Sequence, residues 1–304
     1  MAQVAQPEQL ELAPPGLGQR LAIAVKVFFR VLAGNKAGFL GFLGVLFFVV
    51  AALIGPIIVP DAGKPDLTKI YQPPSLEHPL GTDYEGRDVL KQMLRGGRAI
   101  IVVAVLAATL STLISITFGA LAAYAGGWPD SIIMMLTDVV LTVPQFPLLV
   151  VLSAFVKLDR PWLLATLIAL LSWPTLLRAV RAQVLSLKER EYVEAARALD
   201  LGTTRILFGE ILPNMASYIV MSFTIGMTAA IYAQVALYFL GLAPLAGENW
   251  GIMLNLAWVR GAIFYKDSLM YILAPVLAIS LLQLAMVTMS RSLEDVFNPR
   301  LRES

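Results

Sequence analysis

The sequence predicts an all-α, polytopic membrane protein with six transmembrane helices, and three observations support that prediction. The first is composition, because 58% of the 304 residues are hydrophobic and only 14% are charged. Soluble domains average about 45–50% apolar and about 25% charged residues. The second is a series of apolar runs of about 20 residues or more, the length that crosses a bilayer. The third is a charged, helix-prone block, EYVEAARALDLGTTRILFGEILPN, which lies between two such runs.

The apolar runs place the spans and divide the chain into segments. The predicted spans are 37–59, 99–125, 131–156, 162–184, 214–240 and 268–290. Residues 1–36 are predicted to form a cytoplasmic N-terminal tail with an interfacial helix, and 37–59 form the first span. Residues 60–98 form an external loop with an interfacial helix. Residues 99–290 form a five-helix core, which includes a cytoplasmic loop at 185–213, and 291–304 form a cytoplasmic C-terminal tail.

Three glycines recur every third residue in the first span, at Gly38, Gly41 and Gly44. Small residues at helical spacing let two membrane helices pack closely. The alternative is that they only reflect the higher glycine content of membrane helices. The sequence leaves both interpretations open.

The basic residues favour a cytoplasmic N-terminus. With that orientation thirteen Lys and Arg residues lie in segments that face the cytoplasm, and ten lie in segments that face outward. Cytoplasmic loops carry the excess of Lys and Arg in membrane proteins. Because an even number of spans returns the chain to its starting side, both termini are expected in the cytoplasm.

Several function classes find no support in the residues. The chain has no Cys, a net charge of +2, and one histidine, His78, in a proline-rich loop. These features argue against disulfides, thiolate metal sites and nucleic-acid binding. No G-x-x-x-x-G-K-[ST] run is present, so ATP is not expected to bind this chain through a P-loop. We therefore expect no catalytic residue, no metal site and no resident cofactor.

The charged block is predicted to form a short helix, a tight break and a second helix that enters the fifth span. One apolar face recurs at helical spacing and consists of Tyr192, Ala195, Ala196 and Leu199. Because two of these residues are alanines, the face is shallow and allows another backbone to approach closely. Gly202 is expected to end the helix in the left-handed conformation. The alternative is an amphipathic helix that lies on lipid.

At this point the residues resemble a known family. The pattern E-A-A, a break and then I-L-P resembles the cytoplasmic loop of binding-protein-dependent ABC importer permeases. The rest of the chain resembles the C-type permease subunit of the dipeptide, oligopeptide and nickel branch of this family. The segments that carry this resemblance are HPLGTDYEGRDVLKQMLRGGR (78–98), LTVPQFP (141–147), VRAQVLSLKEREYVEAARAL (180–199), LYFLGLAPLAGENWGIML (237–254) and FNPRL (297–301).

The resemblance implies the type I importer permease fold in a bacterial inner membrane, and four kinds of partner. A second, homologous permease would complete the pore, two cytoplasmic ATPases would bind ATP and Mg, and an external binding protein would deliver cargo. The fourth partner is the lipid bilayer. Di- or oligopeptides are the implied cargo, and nickel chelates, glutathione or another small solute stay open. A stand-alone secondary transporter is the rival, but no convincing internal repeat is present.

The resemblance also implies which residues couple the chain to the ATPases. These are Glu191, Glu194, Ala195, Ala196, Leu199, Gly202 and Pro213. The chain departs from the family pattern in three places. Asp200 stands where Gly is usual, Gln234 stands where Glu is frequent, and SRSLED replaces a Gly-Asp-rich stretch in the last span. Either the break is shifted to Gly202 or Asp200 takes the left-handed conformation, which Asp tolerates better than most residues.

Polar groups inside the spans are candidates for lining a transport pathway. Asp138, Gln234 and Gln283 are the residues concerned. Asp138 has an alternative role as the ion-pair partner of Arg178 or Arg181, and the two glutamines could bond across helices. Two prolines, Pro144 and Pro147, are expected to bend the third span.

Overall fold

The computed structural model describes residues 35–61, 63–244 and 247–297. Within these residues the chain is helical and has no β-strand. The helices of eight residues or more are α1 Lys36–Ile58, α2 Val89–Ala125, α3 Gly127–Thr142, α4 Gln145–Phe155, α5 Pro161–Leu187, α6 Glu191–Ala198, α7 Ala216–Phe239, α8 Trp250–Val259 and α9 Leu269–Phe297. The predicted N-terminal interfacial helix lies outside the described residues except for its last two.

Five of these helices are long and apolar enough to cross a membrane, namely α1, α2, α5, α7 and α9. The α3–α4 pair makes a sixth crossing if it counts as one broken span. The predicted bend in the third span is confirmed, because α3 and α4 meet at 85° across Val143 and Pro144. Proline removes a backbone donor and restricts the preceding residue, which explains why the helix breaks there.

The second span is longer than predicted and includes the expected interfacial helix. Residues Val89–Ala125 form one continuous helix whose N-cap, Asp88, accepts a hydrogen bond from the Lys91 amide at 3.0 Å. An interfacial helix would turn its apolar residues toward the membrane. Val89 and Met93 are instead buried within the protein, and the Trp250 indole donates to the Met93 carbonyl at 2.9 Å. The first turns of α2 are therefore packed within the protein and do not lie on the membrane surface.

The glycine stripe of α1 packs against α9, which confirms the packing interpretation. A Cβ on Gly41 would lie 2.6 Å from the Met289 nitrogen, and a Cβ on Gly44 would lie 2.8 Å from the Ala285 side chain. Gly38 faces Ser292 in the same way, so the two helices run antiparallel. The first turn of α1 and the last turns of α9 consequently lie at the same end of the bundle.

Helix α2 lies at the centre of the bundle and packs against α1, α5 and α7. Its buried positions include many small residues, such as Ala104, Ala107 and Ala108, which allow close approach. The end of the bundle that carries α6 is called here the α6 end, and the opposite end is called the far end. The start of α2 and the ends of α1 and α7 lie at the far end.

A loop at residues 60–88, the far-end loop, covers that end of the bundle and is organised around Asp83. This fully buried carboxylate accepts hydrogen bonds from the amides of Glu85 and Arg87, both at 2.8 Å. The Arg87 guanidinium and the Gln92 amide donate to its other oxygen at 3.0 and 2.8 Å. A buried charge is tolerated when it is paired and hydrogen-bonded in this way.

Candidate functional site

Helix α6 is held to the bundle by two residues on one side. Val193 is fully buried and Ala196 is 5% exposed, and both contact a small apolar cluster that includes Ile206 and Ile211. Residues 188–215, which include α6, are called here the α6 segment. After α6 this segment continues through a short helix, a π-helical turn at Leu207–Ile211 and a further helical turn. Few apolar contacts therefore set the position of α6.

The opposite side of α6 is open. All residues from 191 to 199 except Val193 and Ala196 are exposed. Five of them form what we call the outer face: Glu191, Tyr192, Glu194 and Ala195 of α6, and its C-cap Leu199. Leu199 is 74% exposed. Partial burial raises the pKa of the Tyr192 phenol above its ordinary value. The outer face thus has two carboxylates beside a shallow apolar surface.

The predicted apolar face of α6 is wrong at one position. Ala196 was grouped with Tyr192, Ala195 and Leu199, but it points into its own chain and is not available to a partner. Val193, which the prediction left out, shares the buried side with it. Hydrophobic spacing located the helix, but it could not separate residues that face the chain from residues that face outward.

The break after α6 is formed by Asp200 and not by Gly202. Asp200 has a φ of +54°, whereas Gly202 has a φ of −59°. The Leu201 amide donates to the Ala196 carbonyl at 3.1 Å, and the Asp200 amide donates to the Arg197 carbonyl at 2.9 Å. These two bonds define a Schellman motif, which usually has Gly where Asp200 stands. The prediction for Gly202 is therefore wrong, and the alternative for Asp200 is confirmed.

Pro213 lies in the short turn Leu212–Asn214 that precedes α7. It follows the π-helical turn, and the Asn214 side chain donates to the Glu210 carbonyl at 2.6 Å. Because proline has no backbone donor, the chain is not one continuous helix at the entry to α7. The α6 segment is consequently joined to a membrane-length helix through irregular backbone.

A polar chamber of about 330 Å³ lies between α2, α5 and α7 and extends to the start of α4. Its polar lining consists of Ser111, Thr112, Gln145, Ser172, Thr175, Tyr218 and Ser222. The Ser172 hydroxyl donates to the Ile168 carbonyl at 2.7 Å within its own helix. Five of the others form no side-chain hydrogen bond to the described residues, namely Thr112, Gln145, Thr175, Tyr218 and Ser222.

Two of the three predicted pathway residues are buried within the bundle. Gln234 is fully buried and donates to the Ile100 carbonyl at 2.9 Å. Gln283 is 5% exposed and donates to the Thr228 carbonyl at 3.2 Å. In this chain both side chains bond across helices, and the oxygen of each has no hydrogen-bond partner among the described residues.

The third predicted pathway residue, Asp138, is exposed and forms an ion pair with Arg178. One helical turn further along α5, Arg181 holds Asp130 through two contacts of 2.5 Å. The expected partnership of Asp138 with an arginine of the fourth span is confirmed. These two pairs tie α3 to α5 next to the polar chamber.

Within the described parts of the chain, no group of three or more His, Asp or Glu residues is close enough to bind an ion. His78 lies in the far-end loop, where its Nδ1 is 2.9 Å from the carboxylate of Asp88. This histidine supports the cap of α2.

Comparison with known proteins assigns the fold and the α6 segment to one family. The family described as "Binding-protein-dependent transport system inner membrane component" matches residues 115–303. The chain belongs to this family. The permease is 37% identical over 270 residues to a putative peptide permease protein of Brucella suis biovar 1, with 88% of each chain covered.

Two further relatives come from other bacteria. The dipeptide transport system permease protein DppC of Bacillus subtilis is 36% identical over 281 residues, which cover 90% of the permease and 85% of the relative. The oligopeptide transport system permease protein OppC of Mycobacterium bovis is 34% identical over 224 residues, which cover 73% and 76%. The permease is therefore a multi-pass membrane component of a binding-protein-dependent transport system, and it is related to peptide transport subunits.

Sequence reasoning missed most of the polar chamber. Its hydroxyl residues lie within apolar runs and include Ser111 and Thr112 on α2, Thr175 on α5 and Ser222 on α7. A signal was present, because small hydroxyl residues in several membrane helices often face other helices and not lipid. The sequence could not show that these particular residues converge.

Proposed function

We propose that this permease forms half of the translocation pore of an ATP-driven importer. A second, homologous permease completes the pore, and two ATPase subunits in the cytoplasm hold ATP and Mg. An external binding protein delivers the cargo to the far end. The α6 end then lies on the cytoplasmic side, with both termini, as the distribution of basic residues favours.

The observation that supports this proposal is the asymmetry of α6. Val193 and Ala196 fix one side of the helix, and the outer face leaves small and apolar groups uncovered. A motor subunit that binds Ala195 and Leu199 could move α6 as a unit. Because the α6 segment joins α5 to α7, such movement would be transmitted to two membrane-length helices.

Di- and oligopeptides are the proposed cargo. The three relatives described above are called peptide, dipeptide and oligopeptide permeases. The polar chamber supports the same class, because its hydroxyl and amide side chains can bond to the N–H and C=O groups of a peptide. No ionisable group except the phenol of Tyr218 lines the chamber, which suits cargo whose side chains vary.

Two substitutions on the outer face test the coupling role. We expect Glu194→Lys to separate ATP hydrolysis from uptake while the protein stays in the membrane. Ala195→Trp should have the larger effect, because its bulk would hold the partner surfaces apart. Uptake of a labelled tripeptide and co-purification of the ATPase subunits measure both.

The matched control is Asp159, an exposed residue in the connection between α4 and α5 at the opposite end of the bundle. Asp159→Lys and Asp159→Trp introduce the same side chains far from the outer face. Normal uptake and normal ATPase binding in the α6 variants would contradict the proposal.

A further inference from the structure

The break between α3 and α4 exposes irregular backbone at membrane depth. Every residue from 142 to 147 is exposed. Because α3 begins at Gly127, the break at Val143 lies about 24 Å along the axis at 1.5 Å per residue, within a hydrocarbon core of about 30 Å. Pro147 has no amide hydrogen, and the amides of Gln145 and Phe146, the first two of α4, have neither an intrahelical acceptor nor a side-chain cap. Lipid cannot satisfy such groups, and irregular backbone at this depth faces protein or water.

An exposed ion pair lies on the same side of the bundle. The side chains of Asp138 and Arg178 are 57% and 48% exposed, and Asp138 is about 16 Å along α3. Charged groups facing acyl chains are costly, and they usually face the bundle interior or a water-filled cavity. The pair therefore gives a second, independent reason why lipid does not cover this surface.

The polar chamber joins these two features into one surface. Gln145 is the first residue of α4 after the break, and it also lines the chamber. Thr175 and Ala179 line the chamber from α5 and flank Arg178 in the sequence. We call this surface the polar wall: the break at 142–147, the Asp138–Arg178 pair and the chamber between them.

We propose that the polar wall faces the water-filled transit path and contacts the main chain of peptide cargo. This inference rests on the proposed function and deepens it, because it assigns residues to the path. The free hydroxyl and amide groups of Thr175, Ser222 and Gln145 can donate to peptide carbonyls and accept from peptide amides. The aspartate and arginine at the rim neutralise one another, so the wall has no net charge with which to select cargo.

Two of the residues that the sequence made candidates for the path lie outside the polar wall. Gln234 and Gln283 bond to carbonyls of neighbouring helices and lie within the bundle. Asp138 stays at the path, paired with Arg178. Selection by cargo charge then has to occur elsewhere, because the polar groups of this surface are neutral apart from a closed ion pair and the rest of the chamber lining is apolar.

The chain has no cysteine, so single cysteines can report which surfaces meet water. The test uses the assembled transporter in membranes and the variants Gln145→Cys, Thr175→Cys and Ser222→Cys with a charged, water-soluble methanethiosulfonate reagent. Leu281→Cys and Leu284→Cys are matched controls, because both leucines are more than half exposed on the apolar surface of α9. We expect the wall cysteines to react faster than the controls by about tenfold or more, because a charged reagent is excluded from hydrocarbon.

Peptide and ATP extend the test to the cargo. A neutral tripeptide, supplied with the binding protein and ATP, should slow labelling of Ser222→Cys and Thr175→Cys. Wall cysteines that react as slowly as the controls, in a complex that still contains its ATPases and takes up peptide, would overturn the inference and leave the proposed function intact. Labelling that peptide does not slow would overturn the peptide contact.

A charge variant tests the neutrality of the wall separately. We expect Ser222→Asp to slow uptake of an acidic tripeptide severalfold more than uptake of a neutral one, with Ser222→Thr as the control that keeps the hydroxyl. A merely structural role for Ser222 predicts an equal loss for both peptides, and that result would count against the inference.

Discussion

The far-end loop and the α6 segment both connect spans, yet they are built in different ways. The far-end loop is fixed by directional bonds, since Asp83 alone accepts four hydrogen bonds from three residues. The α6 segment rests on apolar contacts below Val193 and Ala196 and on one left-handed residue, Asp200. A polar network specifies one geometry, whereas a small apolar contact leaves a helix able to shift. The contrast indicates a rigid far end and a movable α6 end.

Removal of the Asp83 carboxylate should have the largest effect. Asp83→Ala leaves the buried donors of the far-end loop without an acceptor, and disrupting a buried charge network typically costs about 3–5 kcal/mol. We expect a large fall in the thermal unfolding temperature of the purified protein. Asp83→Asn, which keeps the shape of the side chain, should lower the unfolding temperature less. An Asp83→Ala protein as stable as wild type would contradict the contrast between a rigid far end and a movable α6 end.

The far-end loop should also reject a methyl group that the α6 segment accepts. Gly86 has a φ of +75°, and a Cβ there would overlap the Asp66 carbonyl. Gly86→Ala should therefore cost more than the roughly 1–2 kcal/mol of the left-handed conformation alone. Gly202→Ala is the matched control, because no atom lies within 4 Å of its Cβ position. Equal unfolding temperatures for the two variants would contradict this expectation.

Weakening the contact beneath α6 should affect coupling more than stability. Val193→Ala removes two buried methyl groups, worth about 1.5 kcal/mol at about 0.8 kcal/mol per methylene. We expect reduced peptide uptake per ATP hydrolysed, with a small change in unfolding temperature. Val102→Ala is the control, because Val102 is 38% exposed on α2. If Val193→Ala left the ratio of peptide uptake to ATP hydrolysis unchanged, the contact beneath α6 would have no role in coupling.

The smallest effect is expected at the end of α6. Asp200→Gly places the usual residue in the left-handed position and should stabilise the segment by up to about 1 kcal/mol. Asp200→Ala should destabilise it by a similar amount. Hydrogen exchange of the Leu201 amide, which bonds to Ala196, measures both changes. Faster exchange in Asp200→Gly would be the contrary result.

The sequence predicted the spans well because hydropathy and length act on each helix separately. The bend at Pro144 and the left-handed option for Asp200 could also be anticipated, since both follow from the chemistry of one residue. The Asp83 network could not be predicted, because Gln92 reaches it only after α2 and the far-end loop have packed together. For the same reason the sequence could not separate Ala195, which is exposed, from Ala196, which is buried.

The candidate path shows the same limit. Three polar residues of the spans were noted individually, and the structure places Gln234 and Gln283 in interhelical bonds. The hydroxyls of the polar chamber are too common in membrane helices to be singled out by type. Only the convergence of α2, α5 and α7 brings them to one cavity.

Cross-linking from the outer face of α6 tests the central claim most directly. In the cysteine-free chain, Ala195→Cys labelled with a thiol-reactive benzophenone should give, on irradiation, a covalent product with a cytoplasmic ATPase subunit, and Asp159→Cys should give none. The account predicts that product in the assembled transporter. No product from Ala195→Cys, together with its labelling by a lipid-soluble probe, would place α6 against the bilayer and contradict the account.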